Sequence, residues 1–152
     1  MTKLADFAAR WADAGDGFRC WLGDVSDIPG SSRVTAIARQ AGYAPHSDKD
    51  FFQIDRRTAA RVMAYLQEQS LAHGDRRFTE TRASEMLGML TELGPSAQFW
   101  SNSRHSDFED DTPTFTPDNA WMWIGLSDVC FDTGVIAFND TTGFIFWVEE
   151  DD

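Results

Sequence analysis

The spacing of apolar residues divides the chain into a helical first part and a strand-rich second part. In four stretches the apolar side chains recur every three to four residues, which is the period of an amphipathic helix. They predict helices at about 2–14, 32–41, 56–73 and 82–93. From residue 97 the runs are instead rich in β-branched and aromatic residues, which is typical of strands. The pattern predicts one α+β domain over residues 1–152, in which N-terminal helices (about 1–95) pack on a C-terminal antiparallel sheet (about 96–152).

Short polar residues and glycines mark the expected helix ends. An N-cap side chain accepts a hydrogen bond from the first turn, and a glycine after the last turn ends many helices. The expected caps are Thr2, Ser31 or Ser32, Asp55 and Thr81, and the expected ends are Gly42, Gly74 and Gly94 with Pro95. Between the first two helices, the run FRCWLG at residues 18–23 fits either a strand or a loop.

The last third of the chain contains a predicted β-hairpin. Residues 134–138 and 143–148 are dense in β-branched and aromatic side chains and flank the turn-forming residues 139–142. Apolar residues occupy both faces of each predicted strand, so both faces need cover. Two arrangements provide it: central strands beneath the helices of this chain, or a hairpin with one face covered by a partner protein. Before the hairpin, residues 102–119 are polar and carry two prolines, which predicts a long surface loop.

Charge is distributed unevenly along the chain. The protein carries 13 basic and 25 acidic side chains, a net charge of −12. Residues 1–105 hold all 13 basic residues and 13 of the acids, whereas residues 106–152 hold 12 acids, no Lys or Arg, and nine aromatic residues. We expect a segment that is both acidic and aromatic to fold and to attract a basic partner. The alternative is that the acidic residues only keep the protein soluble. This excess of acidic over basic side chains argues against direct binding to nucleic acid or to an anionic membrane.

The chain shows none of the sequence features of secreted or membrane proteins. The first residues lack the apolar core of a signal peptide, and no apolar run approaches the ~20 residues of a membrane helix. The two cysteines do not make a disulfide framework. We therefore expect a soluble cytosolic protein.

No motif predicts a metal or a cofactor. The candidate zinc ligands stand singly along the chain, without the close pairs that zinc sites use, at Cys20, His46, His73, His105 and Cys130. The acids at 107–111 lack the spacing of a calcium-binding loop. No metal site and no cofactor are predicted.

Two further patterns allow other chemistry. Cys20 with His46 or His105 remains open as a nucleophile and base, although no local signature supports it. The triplet Asp132-Thr133-Gly134 matches that of aspartic proteases in three residues only. We interpret it as a turn at the entry of a strand, in which Asp132 accepts a nearby backbone N–H.

Arginines on the third predicted helix form a local basic stretch. Arg57 and Arg61 are i, i+4 neighbours, which places them side by side on one helix face. They form either a small basic patch or a set of ion pairs with nearby acids, and the net charge of −12 favours ion pairs.

Several stretches together resemble the small immunity proteins that accompany bacterial polymorphic toxins. They are the helix pair DRRTAARVMAYLQEQSLAHG and TRASEMLGMLTELG, the aromatic stretches QFWSN and AWMWIGLSD, and the ending CFDTGVIAFNDTTGFIFWVEEDD. The resemblance implies a non-enzymatic inhibitor that binds a toxin stoichiometrically. Without a signal peptide, the expected target is a toxin that acts in the cytosol, such as a nuclease, a deaminase or an NAD⁺-consuming enzyme.

The leading hypothesis is an immunity protein that blocks a basic toxin domain by direct contact through its acidic, aromatic surface. Opposite charge would speed association, and a few aromatic anchors would supply affinity. The expected contacts are Asp107, Glu109, Asp110, Asp111, Trp121, Trp123 and Asp128, followed by Glu149 and Glu150. The alternatives are a phage-encoded anti-defence protein or DNA mimic, an enzyme with an unrecognised site, and a plain interaction module.

Overall fold

In the described part of the chain, four α-helices, two short 3₁₀ helices and a five-stranded antiparallel sheet make up the regular structure, which confirms the predicted α+β class. The computed structural model describes residues 2–15, 17–45, 48–68, 78–105, 126 and 131–150. The helices are α1 (Thr2–Ala12), α2 (Arg33–Gln40), α3 (Arg56–Glu68) and α4 (Glu80–Thr91), and each overlaps a predicted helix. The end predicted for α3 at Gly74 lies outside the described residues. None of the helices in the described part of the chain has the length and apolar character that a membrane-spanning helix needs.

The sheet places the predicted hairpin at its centre. Its strands are β1 (Phe18–Asp24), β2 (Phe52–Ile54), β3 (Gln98–Ser101), β4 (Phe131–Phe138) and β5 (Thr142–Glu150), in the spatial order β1-β5-β4-β3-β2. Both edge strands come from residues before 96, the part that the sequence pattern divides off as helical. The sequence pattern does not identify these strands because they lie at the sheet edges. Every residue of β1, for example, is half-buried or exposed, so apolar and polar residues do not alternate along it.

The hairpin is covered on both faces by this chain, so no partner is needed to bury it. One face packs in a core with α1, α3 and α4, and the other packs in a second core with α2. The first face presents Val135, Ala137, Phe144 and Phe146, and the second presents Ile136, Phe138, Ile145 and Trp147. Successive side chains of a strand point to opposite faces of the sheet, so an unbroken run of apolar residues supplies both cores.

Polar caps begin two of the helices, one of them at an unexpected residue. Asp55 caps α3 as predicted, because its carboxylate accepts the N–H of Thr58 at 2.7 Å. In α4 the cap is Thr79, whose Oγ1 accepts the N–H of Arg82 at 3.2 Å, so the prediction of Thr81 is wrong. The apolar stripe of α4 starts at Ala83, one turn after the true start, and that offset displaced the predicted boundary.

Glycines end α2 and α4 as the sequence predicts. Gly42 and Gly94 have φ angles of 95° and 88°, in the left-handed region that glycine adopts without a steric penalty. The N–H of Gly94 donates to the carbonyl of Thr91, which closes the last turn of α4.

Candidate functional site

Most of the predicted contact residues lie in one segment, of which the structure describes only Leu126. We name residues 106–128 the acidic segment. Seven of the nine predicted contacts belong to it and lie outside the described residues: Asp107, Glu109, Asp110, Asp111, Trp121, Trp123 and Asp128. The chain that leads into the segment (Ser101 to His105) and the strand that follows it (β4) are described.

Several acids and aromatics of the hairpin are used inside the fold. Four of the 12 acids in residues 106–152 are described, and two of these, Asp132 and Glu149, are bound inside the fold. Six of the remaining eight fall between residues 107 and 128. The hairpin aromatics Phe138, Phe144, Phe146 and Trp147 are buried in the two cores.

Glu149 faces an arginine of its own chain. Its Oε1 lies 3.1 Å from Nε of Arg19, and its side chain is only 15% exposed. The same guanidinium donates to the carbonyl of Ala41 at 2.8 Å and lies 4.9 Å above the ring of Tyr43. Burial, and secondarily Glu149, raises the pKa of Tyr43 above its ordinary range. This cluster ties β5 and β1 to the end of α2. Glu150, the other predicted contact on this strand, is half-buried and pairs with Phe131 in the β-ladder.

A buried polar network joins the two flanks of the acidic segment. Ser101 and Asn102, at the end of β3, contact Thr133 of β4 and the imidazole of His105, which is 4% exposed. Asn102 Nδ2 donates to the carbonyl of Asp132 at 2.9 Å. His105 itself has a φ of 51°, which is uncommon for a residue other than glycine. Its backbone N–H donates to Ser103 Oγ at 3.2 Å.

The donors and acceptors of this network fix the proton positions. Ser101 Oγ gives its single proton to the carbonyl of Gly134 at 2.6 Å, because a carbonyl can only accept. Thr133 likewise donates to Asn102 Oδ1 at 2.6 Å. His105 Nε2, at 2.8 Å from Ser101 Oγ and 3.3 Å from Thr133 Oγ1, must therefore carry a proton and donate to both hydroxyls.

This proton arrangement makes the serine–histidine pair a structural contact. A general base needs a bare nitrogen facing the nucleophile, and here the facing nitrogen is protonated. Ser101 is also fully buried. Sequence reasoning missed this network, and the only signal for it is a set of short polar residues on both sides of the acidic segment.

Asp132 fixes the second flank from the opposite face of the sheet. Its Oδ1 accepts the N–H of Leu126 at 2.8 Å and the indole N–H of Trp147 at 2.9 Å. The prediction that Asp132 accepts a backbone N–H is confirmed. The predicted turn is wrong, because residues 132–134 lie within β4 and pair with β5. A central strand position also explains Gly134, where a side-chain carbon would overlap the carbonyl oxygen of Phe146 and stand 2.8 Å from the ring of Trp147.

The cysteine–histidine pair that the sequence left open is not assembled among the described residues. Cys20 lies on β1, and β5 and β4 separate it from β3, whose end leads to His105. Burial raises the pKa of the Cys20 thiol to about 12, so at neutral pH it is not a nucleophilic thiolate. His46 lies outside the described residues. Within the described part, no group of three or more His, Cys, Asp or Glu side chains could hold a metal ion.

Arg57 and Arg61 do not form the basic patch that the sequence left open as the less favoured alternative to ion pairs. Arg57 is exposed, but Arg61 is 4% exposed, with its guanidinium 5.8 Å from the centre of the Phe78 ring. Arg56 donates to the carbonyl of Gly94 and lies over Phe99. Because α3 packs against both the sheet and α4, neighbouring arginines of the same helix point into different environments.

No protein-family model, no curated protein and no solved structure matches this chain.

Proposed function

We propose that this protein is a cytosolic immunity protein, which binds a basic toxin domain through the acidic segment and blocks its activity. The observation that carries the proposal is the buried polar network at the flanks of that segment. Ser101, Asn102, His105 and Thr133 join its two flanks on one face of the sheet, and Asp132 binds Leu126 on the other.

Such anchoring supports binding because it holds the two flanks of the segment in place before a partner arrives. A loop with fixed ends loses less conformational entropy on association than a free one. A buried polar group without a hydrogen-bond partner is costly. Any other arrangement of the two flanks would break the hydrogen bonds of this network, so the network favours a single arrangement.

The chemistry of the acidic segment determines the kind of partner. Six acids and no Lys or Arg lie between residues 107 and 128, so a basic partner would be attracted over several ångströms. Trp121 and Trp123 belong to the residue types that most often supply binding energy at interface centres. Glu149 has a smaller role in the proposal, because Arg19 already neutralises it.

The proposal is tested by capture of the partner from the source cell with tagged protein at low and high salt. A loop variant neutralises four acids with Asn or Gln, at Asp107, Glu109, Asp110 and Asp111. A control variant neutralises four exposed acids elsewhere, at Asp6, Asp13, Asp27 and Glu85. Both variants lose the same formal charge, so only the position of the acids differs.

We expect the wild type and the control variant to capture one basic toxin domain and to neutralise its toxicity when both are produced in one cell. The loop variant should capture it weakly, and high salt should weaken capture by the wild type. Capture of a host defence complex would instead favour the anti-defence alternative. Equal capture by the loop and control variants would refute the role of the acidic segment.

A further inference from the structure

The outer side of β1 is the longest sheet edge among the described residues. β1 spans Phe18–Asp24 and pairs with β5 on one side only, whereas the other edge strand, β2, has three residues. Its register with β5 is continuous from Phe18 opposite Val148 to Asp24 opposite Thr142, without a bulge. Long regular edges are templates for pairing with another strand unless they carry protective features.

The register identifies which backbone groups of β1 point outward. Just beyond its two ends, the N–H of Glu149 donates to Gly17 and the N–H of Val25 donates to Thr141. Hydrogen-bonded and non-hydrogen-bonded pairs alternate along an antiparallel ladder. Since residues 17 and 25 are hydrogen-bonded to the β5 side, the backbone groups of Arg19 and Trp21 also point toward β5. The N–H and C=O of Cys20 and Leu22 therefore point away from β5.

Within the described part of the chain, β1 lacks three of the usual protective features of an edge strand: a proline, a lysine and a bulge. Its one cation, Arg19, bends back to Glu149 and to the carbonyl of Ala41. Its one acid, Asp24, stands at the end of the strand and accepts hydrogen bonds from Ser26, which lower its pKa. Between these two residues the strand is uncharged.

We propose that a second copy of this chain pairs with β1 in antiparallel fashion, about a two-fold axis at Trp21. In that register the N–H and C=O of Cys20 face those of Leu22 of the second copy, and the symmetry repeats the pair. Two five-stranded sheets then join into one continuous sheet of ten strands. The proposal is independent of the function proposed above.

The side chains and charges of β1 suit a second copy in this orientation. Trp21 faces its own counterpart across the axis, and Cys20 faces Leu22, so apolar residues meet apolar residues. The antiparallel direction also brings the end with Arg19 beside the end with Asp24, whereas a parallel arrangement would place like charges together. Isologous contacts of this kind are the commonest route to a dimer.

The test measures oligomeric state and backbone protection on the wild-type protein. Sedimentation velocity from about 10 µM to about 1 mM covers the range expected for a small interface, and we expect the mass to rise from monomer toward dimer. Hydrogen exchange over the same range should slow at the amides of Cys20 and Leu22. The amides of Arg19 and Trp21, already bonded to β5, serve as the internal control. A monomer at every concentration, or a dimer without this alternating protection, overturns the proposal.

Two matched variants test the axis directly. Trp21→Arg places two cations opposite each other at the axis and should weaken dimerisation at least tenfold. Trp100→Arg changes another half-buried tryptophan on the same face of the sheet, on β3, and should leave dimerisation unchanged. Thermal unfolding establishes that both variants fold. Equal dimerisation of the two folded variants overturns the proposal, and so does dimerisation that weakens as salt rises, because screening reduces repulsion between two chains of net charge −12.

Discussion

The indole N–H of Trp147 donates a 2.9 Å hydrogen bond to Asp132 across the two central strands, where both residues are almost fully buried. Two residues further along β4, Gly134 leaves the room that the tryptophan ring needs. Between them, Thr133 points to the other face and joins the network of Asn102 and His105. The Asp-Thr-Gly triplet is thus explained by packing and hydrogen bonds on both faces of one strand.

Substitution of Asp132 tests this explanation. Asp132→Ala removes the acceptor of the buried indole N–H of Trp147 and of the part-buried N–H of Leu126. An orphaned buried donor costs about 1–3 kcal/mol and a part-buried one costs less, so the free energy of unfolding should fall by about 2–4 kcal/mol. Asp132→Asn keeps an acceptor oxygen and should lose clearly less. Urea denaturation measures both variants. Equal losses for the two substitutions would contradict the assigned hydrogen bonds.

Ser101 should behave as a structural residue and not as a nucleophile. Ser101→Ala removes the donor to the carbonyl of Gly134 and should lower the free energy of unfolding by about 1–3 kcal/mol. A fluorophosphonate probe, which labels activated serines, should leave Ser101 unmodified in the native protein. Mass spectrometry of the peptides provides the readout, and rapid labelling at Ser101 would show that His105 acts as a base.

The start of α4 can be checked with two neighbouring threonines. Thr79→Ala removes the hydroxyl that caps α4 by accepting the N–H of Arg82, and we expect a loss of about 1 kcal/mol in the free energy of unfolding. Thr81→Ala changes an exposed residue inside the first turn and should cost less than about 0.5 kcal/mol. A larger loss for Thr81→Ala than for Thr79→Ala would show that Thr81 is the N-cap of α4.

Stability should decline in alkaline solution because two groups favour their neutral forms when folded. Burial raises the pKa of Cys20 from 9.0 to about 12 and also raises that of Tyr43. Above pH 9 the unfolded thiol ionises while the folded thiol stays neutral, so the unfolded state is favoured progressively between pH 9 and 12.

Two substitutions test the source of that alkaline loss. Cys20→Ala and Tyr43→Phe remove the titrating groups and should each flatten the decline of the unfolding free energy between pH 9 and 12. Urea denaturation across that range measures the slope. A slope equal to that of the wild type in both variants would show that other groups cause the decline.

The sequence predicts the helices and the central hairpin because their apolar residues repeat with clear periods. It does not predict the edge strands, since β1 is half-buried throughout and β2 has only three residues. The cap of α4 was misplaced because the apolar stripe begins one turn inside the helix.

The candidate site is only partly legible from the sequence. The separation of charge along the chain follows from counting residues. The network does not, because Ser101 and Thr133 are 32 positions apart and belong to residue types that are common on surfaces. Only the pairing of β3 with β4 brings such side chains together, and no turn motif in the sequence indicates this pairing. Glu149 shows the converse: its acidity is evident from sequence, but its pairing with Arg19 depends on the β1–β5 register.

The most direct test of the proposed function is the association rate between this protein and the basic toxin domain that the proposal requires, measured across ionic strength. The wild type and the control variant should associate fast at low salt and slow steeply as salt rises. The loop variant, without the acids at 107–111, should associate about tenfold more slowly at low salt and depend less on ionic strength. If the loop variant matches the control variant in rate and in salt dependence, the acidic segment is not the surface that attracts the partner.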